Sequence, residues 1–180
     1  MSFLVLSTSL NPASNSRIMA RTVFEQVKSS GAVADFLDLV DLPLPHCDGA
    51  SAYGNPNVKT LTAKLAASKG VLVATPVYNY DANSVVKNAV ELTGRNGWLG
   101  KTVGFLCAAG GQGSYMSIMG LANSLMLDFR CFIVPRFVYA TEADFDDATS
   151  TIKSEAVRER VAELAREIVR ITTALDHAKA

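Results

Sequence analysis

The sequence predicts an open α/β fold, a five-stranded parallel sheet with helices on both faces, formed by residues 1–180 as one domain. Three observations carry that prediction. Apolar runs of strand length alternate with longer amphipathic stretches along the whole chain. The runs Val71–Ala74 and Thr102–Ala108 are almost continuously apolar, as strands covered on both faces are. The apolar fraction of 49% against 19% charged, over 180 residues, suffices for a sizeable core and excludes a disordered chain.

Phe3–Leu6 reads as the first strand and Ser7–Ser14 as a polar loop. Asn15–Ser29 reads as a helix, because Met19, Val23 and Val27 fall on one face. Ser14 or Asn15 supplies its N-cap, and Gly31 stops it. Val33–Leu39 alternates, with Asp35 and Asp38 among its polar positions, which suits a sheet edge. Asp41–Pro56 holds three prolines and two glycines and reads as a long irregular connection, a common place for function. A helix over Val58–Ser68, ended by Gly70, leads to the strand Val71–Ala74. Thr75–Asn83 reads as loop, Ser84–Thr93 as helix, and Thr102–Ala108 as strand. The Gly-rich loop Gly110–Gly113 precedes a helix over Ser114–Leu127, with Ser114 as N-cap. Cys131–Val134 is the last core strand, closed by Pro135. The final helix spans Thr151–Leu175. Ile152, Val157, Val161, Leu164, Ile168, Ile171 and Leu175 form its apolar face, and the pairs Glu155/Arg158, Glu163/Arg166 and Glu167/Arg170 its wet side.

Charge and cysteine content narrow the function classes. Lys+Arg and Asp+Glu both number 17, so no basic excess points to nucleic acid or an anionic membrane. Cys47, Cys107 and Cys131 are odd in number and form no C-x-x-C, which favours a reducing compartment. The chain opens with a short apolar run and no basic segment, a first strand in place of a signal sequence, and no run reaches membrane-spanning length. The expectation is a soluble, cytoplasmic protein.

Strand count, length and the edge-like second strand favour the flavodoxin-type strand order 2-1-3-4-5, a three-layer sandwich. Ligands in such sheets bind beyond the carboxyl ends of the strands, so the loops after strands one, three and four carry the chemical reading. In the first loop, Ser9, Asn11, Ser14, Asn15, Ser16 and Arg17 surround the start of a helix. Free N–H groups, hydroxyl donors and the helix dipole suit a phosphate there, and the same residues read equally as an N-cap with a polar approach.

The second loop is Thr75-Pro76-Val77-Tyr78-Asn79-Tyr80, and the helix after it contains Val86-Lys87-Asn88-Ala89. Here the sequence resembles the NADPH-dependent FMN reductase family, short flavodoxin-like reductases with T-P-x-Y-N after the third strand and L-K-N-A in the next helix. The resemblance covers roughly Phe3–Pro135. It implies a flavin, FMN, with its isoalloxazine against Pro76, Val77, Tyr78, Asn79 and Tyr80. The small loop Ala109-Gly110-Gly111-Gln112-Gly113 would meet the ring's other edge, where glycine lets a flat ligand approach the backbone. It further implies NADPH or NADH as hydride donor to flavin N5, with ping-pong turnover onto a small-molecule acceptor. That acceptor is a flavin, quinone, azo or nitro compound, or a metal oxyanion. No protein acid or base is required; Tyr78, Asn79 and Tyr80 shape the slot. A homodimer or homotetramer is implied as well. The sequence departs from the family at Asn11, where an Arg is frequent, at Tyr80 and Asp81, where a small Gly or Ser is usual, and at Asn83, near a usual Pro.

Several look-alikes fail. Gly100-Lys101-Thr102 precedes a strand and has Arg95 where a P-loop needs its first glycine. Gly111-Gln112-Gly113 lacks the last glycine of a dinucleotide fingerprint, and Pro135-Arg136 stands where its acidic residue belongs. Three adjacent residues, His46-Cys47-Asp48, rarely converge on one metal. Cys107 and Cys131 read as small core residues. The competing classes are a cofactor-less interaction module, a non-enzymatic electron carrier and a flavin-free nicotinamide oxidoreductase.

Overall fold

The computed structural model describes residues 2–177. Strand β1 (Ser2–Ser7) leads through a polar loop to α1 (Asn15–Ser29) and then β2 (Val33–Asp38). The long connection with its short helical turn Ser51–Gly54 follows, then α2 (Pro56–Ala67), β3 (Gly70–Tyr78), β4 (Asp81–Ala82) and α3 (Ser84–Trp98). Next come β5 (Thr102–Ala109), α4 (Met119–Phe129), β6 (Phe132–Ile133) and β7 (Val138–Thr141). The chain closes with β8 (Phe145–Asp146), β9 (Thr151–Ile152) and α5 (Glu155–His177).

The sheet order is β2-β1-β3-β5-β6, with β7 also on β5 and β4 on β3. All its pairings are parallel except β3 with β4. The strand period of two sends alternate residues to opposite layers. Phe3, Val5, Leu72, Ala74, Leu106 and Ala108 pack with Met19, Val23 and Val27 of α1 and Val157, Val161, Leu164 and Ile168 of α5. Leu4, Leu6, Val71, Val73, Val103 and Phe105 pack with Leu61 and Leu65 of α2, Val86 and Val90 of α3, and Leu121 and Leu125 of α4. Helices therefore cover both faces, and β2 at the edge alternates exposed and half-buried positions from Val33 to Phe36 before Asp38 is buried.

Seven strands, against five expected, reflect two local events. Pro135 and Arg136, the latter at φ 63°, interrupt pairing, but the strand resumes at Val138 because Val138, Tyr139 and Ala140 are at most 5% exposed. β6 and β7 are thus two halves of the fifth strand, which Pro135 does not close. The other event is that β3 runs on to Tyr78 and folds back as a hairpin on Asp81–Ala82. Thr75, Pro76, Val77 and Tyr78 are therefore strand, where loop was expected. β3 outruns β1, whose last pair is Ser7–Ala74, so Pro76 lies where one side of the strand is unpaired and proline is tolerated.

Other boundaries move for identifiable reasons. Gly70 opens β3; it does not stop α2, and an added Cβ there would meet Phe3 at 2.6 Å. α3 continues past Gly94, a kink, to Trp98, whose indole N–H donates to Thr93 Oγ1 at 2.9 Å. Glycines 110, 111 and 113 delay α4 to Met119, leaving Ser114 in a short turn instead of an N-cap. Ile152 belongs to the β8–β9 hairpin and α5 starts at Glu155. Glu155–Arg158 and Glu167–Arg170 form ion pairs on its wet side.

Candidate functional site

Three loops meet at the carboxyl ends of β1, β3 and β5, which are neighbours in the sheet. In the first, Thr8 N–H extends the β1–β3 ladder to Ala74 O at 3.0 Å. Ser9 Oγ accepts from Asn11 N–H at 3.2 Å, and Asn11 Oδ1 accepts from Ala13 N–H at 3.0 Å, an Asx turn that delivers the chain to α1. Ser14 occupies the N-cap position but makes no side-chain cap; its hydroxyl pairs with Ser16 Oγ at 2.8 Å. Arg17 N–H donates to Ser14 O at 3.0 Å, so the N–H groups of Asn15 and Ser16 are those left to another acceptor.

Arg17, expected to lend its charge to a phosphate, is spent inside the fold. Its Nε and Nη2 donate to the Asp38 carboxylate on β2, Nη1 to Asn11 O at 2.6 Å and Nη2 to Ser9 O at 3.0 Å. The pair is buried, 11% and 6% exposed. Arg17 holds the loop's shape.

In the second loop, Asn79 at φ 51° and Tyr80 at φ 62° make the two-residue tip of the β3–β4 hairpin. Positive φ at both positions is the geometry of a I′ turn, which matches the twist of the strands it joins. The turn lifts Tyr78 and Tyr80 into solvent, 54% and 73% exposed. Pro76 and Val77 lie beneath them in β3, with Val77 8% exposed.

The third loop faces that hairpin. Val77, Asn79, Tyr80, Gly110, Gly111, Gly113 and Ser114 line a cleft of about 260 Å³. A Cβ added to Gly111 would meet nothing within 4 Å, and one on Gly110 only Glu142 Oε1 at 4.0 Å. Neither has a positive φ, so neither the backbone nor the packing requires glycine. At Gly113 an added Cβ would meet the Tyr80 hydroxyl at 3.3 Å. Bare backbone facing an open slot is the surface a flat ring needs. The loop is held from below by Tyr139, whose hydroxyl donates to Gly111 O and accepts from Ser114 Oγ at 2.6 Å. Ala109 ends β5, buried at 8% exposure.

The structure brings the second and third loops around one slot, while Ser14, Asn15 and Arg17 line a separate cavity of about 520 Å³ beside the β8–β9 hairpin. Two residues absent from the expected set matter. Tyr139 sits beyond Pro135, where the strand was expected to have ended; the apolar run Phe137-Val138-Tyr139-Ala140 was its signal. Asn83 is readable as a cap before Ser84, but its contacts with the first loop are not. The look-alikes have structural duties. Lys101 donates to Ala66 O and Ser68 O, and burial, then Lys69, lowers its pKa. Asp48 accepts from Ser51, Ala50 and Ala52, which hold its pKa at about 2. Burial pushes Cys107 to about 12 and Cys131 to about 11, the values of inert core thiols.

A parallel sheet of this order, with an uncapped helix start at one loop and a glycine-floored slot at the next two, defines a flavodoxin-like nucleotide-binding protein. Known proteins agree. The sequence profile for NADPH-dependent FMN reductase matches residues 1–146. An NAD(P)H-dependent FAD/FMN reductase of Geobacillus thermodenitrificans (strain NG80-2) is 30% identical over 135 residues, 74% of this chain and 72% of that one. An NADPH:quinone oxidoreductase of Arabidopsis thaliana is 27% identical over 165 residues, 87% and 84% of the two chains. An oxidoreductase from Corynebacterium diphtheriae superposes with a TM-score of 0.75 at 21% identity, covering 96% of this chain and 97% of that one. The flavoenzyme NAD(P)H:(acceptor) oxidoreductase from Paracoccus denitrificans gives 0.73 at 21%, covering 94% and 97%. At such identities the superpositions speak for the fold. The chain belongs to the NADPH-dependent FMN reductase family. It is an oxidoreductase with FMN as cofactor and NAD(P)H as electron donor. No helix among the described residues is long and apolar enough to cross a membrane.

Proposed function

We propose that residues 1–180 form a single FMN-binding domain that passes electrons from NADPH or NADH to a small organic acceptor, a quinone or free flavin, by ping-pong turnover. The observation that carries this is the pair Gly110–Gly111, bare for no reason internal to the protein. Quinone and flavin reductases among the relatives support the acceptor class. Bound FMN supplies the hydride chemistry at its N5.

The chain's own residues hold and shape. The phosphate belongs at the start of α1, against the N–H groups of Asn15 and Ser16 and the hydroxyls of Ser9, Ser14 and Ser16, with Asn11 and Arg17 fixing the loop. The ring belongs in the slot between Val77, Asn79, Tyr80 and Gly110, Gly111, Gly113, with Pro76, Tyr78 and Ala109 at its margins. Tyr80 and Tyr78 exclude water and limit which planar acceptor enters. With Asn11 where the family frequently has an arginine, the phosphate is met by helix N–H groups and hydroxyls without a formal charge, which suits a moderate FMN affinity.

Two further readings go with this one. Met116, Met126 and Leu127, 62%, 39% and 84% exposed around α4, are apolar surface for the self-contact of a homodimer or homotetramer, which light scattering on an eluting peak measures. The free thiols of Cys47, Cys107 and Cys131 suit a reducing, cytoplasmic setting.

The experiment is an absorbance titration with FMN, followed by anaerobic NADPH or NADH and then a quinone. Saturable binding, bleaching of the flavin band and its recovery with quinone are expected, with parallel double-reciprocal plots for the two substrates. No FMN binding at high micromolar concentration would overturn the reading; intersecting plots would overturn the ping-pong order alone.

A further inference from the structure

We propose that Asn83 is a positioning residue: it ties the loop after β1 to the strand and helix that flank the ring slot, and so fixes the phosphate end of the FMN site relative to the ring end. The proposal rests on the FMN reading above.

Asn83 is the N-cap of α3, at φ −62° and ψ 153°, and only 3% exposed. Its Oδ1 accepts from Val86 N–H at 3.1 Å and from Thr75 Oγ1 at 3.1 Å. Its Nδ2 donates to Thr8 O at 2.9 Å. The partners fix the amide's orientation, because a backbone N–H can face only the oxygen and a carbonyl only the NH₂. Thr8 directly precedes Ser9, and Thr75 directly precedes Pro76. One buried side chain therefore grips the residue at the root of both cofactor loops. Thr8 is itself bonded to Ala74 O through N–H at 3.0 Å and Oγ1 at 3.1 Å.

Capping alone does not call for asparagine. Serine and aspartate cap about as well, and each offers the oxygen that Val86 N–H needs. Neither has an N–H to give Thr8 O. Asn83 Oδ1 also accepts a long contact from Thr8 Oγ1 at 3.4 Å, but that hydroxyl lies closer to Ala74 O, at 3.1 Å, so the NH₂ donor makes the shorter tie to the first loop, on the side away from Arg17 and Asp38. The first loop is thus pinned twice, by Arg17 from the α1–β2 side and by Asn83 from the β3–α3 side.

The test compares Asn83→Ser, which keeps a cap oxygen and loses the donor, with wild type. FMN and riboflavin, which lacks the phosphate, are titrated by flavin fluorescence, and amide hydrogen exchange is followed in the cofactor-free protein. FMN Kd should rise about tenfold, a difference equivalent to about 1.4 kcal/mol, with riboflavin Kd within about twofold. Exchange should speed up over Ser9–Ser16 and not over Gly110–Gly113. Equal weakening of both ligands, or of neither, overturns the proposal, since a merely structural cap would not separate them. If Asn83→Ser does not fold, Thr75→Val decides by the same criterion. It removes the hydroxyl on Asn83 Oδ1 at nearly constant shape, and should weaken FMN alone, by about threefold. Wild-type protein that binds neither ligand overturns this proposal and the FMN reading together; FMN binding without the selectivity overturns this proposal only.

Discussion

The first loop and the slot between the second and third loops are built on opposite plans. At the first loop, Thr8, Ser9, Ser14, Ser16 and Arg17 are all at most 9% exposed and joined to one another, to β2, to β3 and to α3. At the ring end, Tyr78 and Tyr80 are more than half exposed, the hairpin tip is left-handed at both residues, and the opposite wall is unadorned backbone. The first loop, the proposed phosphate end, is preformed; the slot, the proposed ring end, is open. Preformed dipoles suit a group that never changes, and an open slot suits one floor serving a nicotinamide and an acceptor in turn.

The largest expected effect is at the preformed end. Replacing Arg17 with Met leaves the Asp38 carboxyl without its guanidinium partner at 6% exposure, and removes the donors to Ser9 O and Asn11 O. Breaking a buried pair from one side costs about 3–5 kcal/mol, which urea unfolding should show as a lower midpoint. A loss below about 1 kcal/mol would mean that Asp38 relaxes to water and that this end is softer than the geometry implies.

Two glycines sharpen the contrast. Gly70→Ala places a Cβ 2.6 Å from the Phe3 ring in the core, so it should cost about 1–3 kcal/mol of stability and leave FMN affinity unchanged. Gly111→Ala meets no protein atom and no backbone strain, so stability should hold or rise by up to about 1 kcal/mol as the unfolded chain loses freedom. Gly111 lines the slot, so an added methyl group competes for the space of the proposed ring, and FMN Kd should rise about tenfold. If Gly111→Ala instead unfolds the protein with FMN affinity intact, the glycine serves the fold, and the main support for the ring site is gone.

These contrasts also mark how far the sequence could be read. The layers are legible because Met19, Val23 and Val27 repeat at the helical period and Thr102–Ala108 is almost continuously apolar. The three loops followed from the strand order. What stayed hidden depends on distant partners. Nothing near Arg17 reveals that Asp38, 21 residues on, takes its charge. Thr75 to Tyr78 read as loop because Pro76 argues against a strand, and only the early end of β1 makes that position tolerable. Tyr139 is hidden because Pro135 reads as a strand end, whereas the strand only breaks there and resumes at Val138. Local chemistry survives in the sequence; the sharing of one side chain between two loops, as at Asn83, does not.

The smallest expected effect is at the hairpin tip. A I′ turn favours Asn-Gly, and this chain has Asn79-Tyr80. A non-glycine residue in the left-handed region costs about 1–2 kcal/mol, and glycine returns part of that through its own chain entropy. Tyr80→Gly should therefore raise stability by up to about 1 kcal/mol, a gain of about 2–4 °C in Tm for a chain of this size. It should also remove the ring that lies against Gly113 and walls the slot, raising both FMN Kd and KM for the acceptor. A fall in Tm would show that the contact of Tyr80 with Gly113 outweighs the backbone strain, and that the ring end is preformed after all. A rise in Tm with worse acceptor KM would mean that the strain is kept because the tyrosine is needed above the slot, which is how a fold carries a local cost at a functional position.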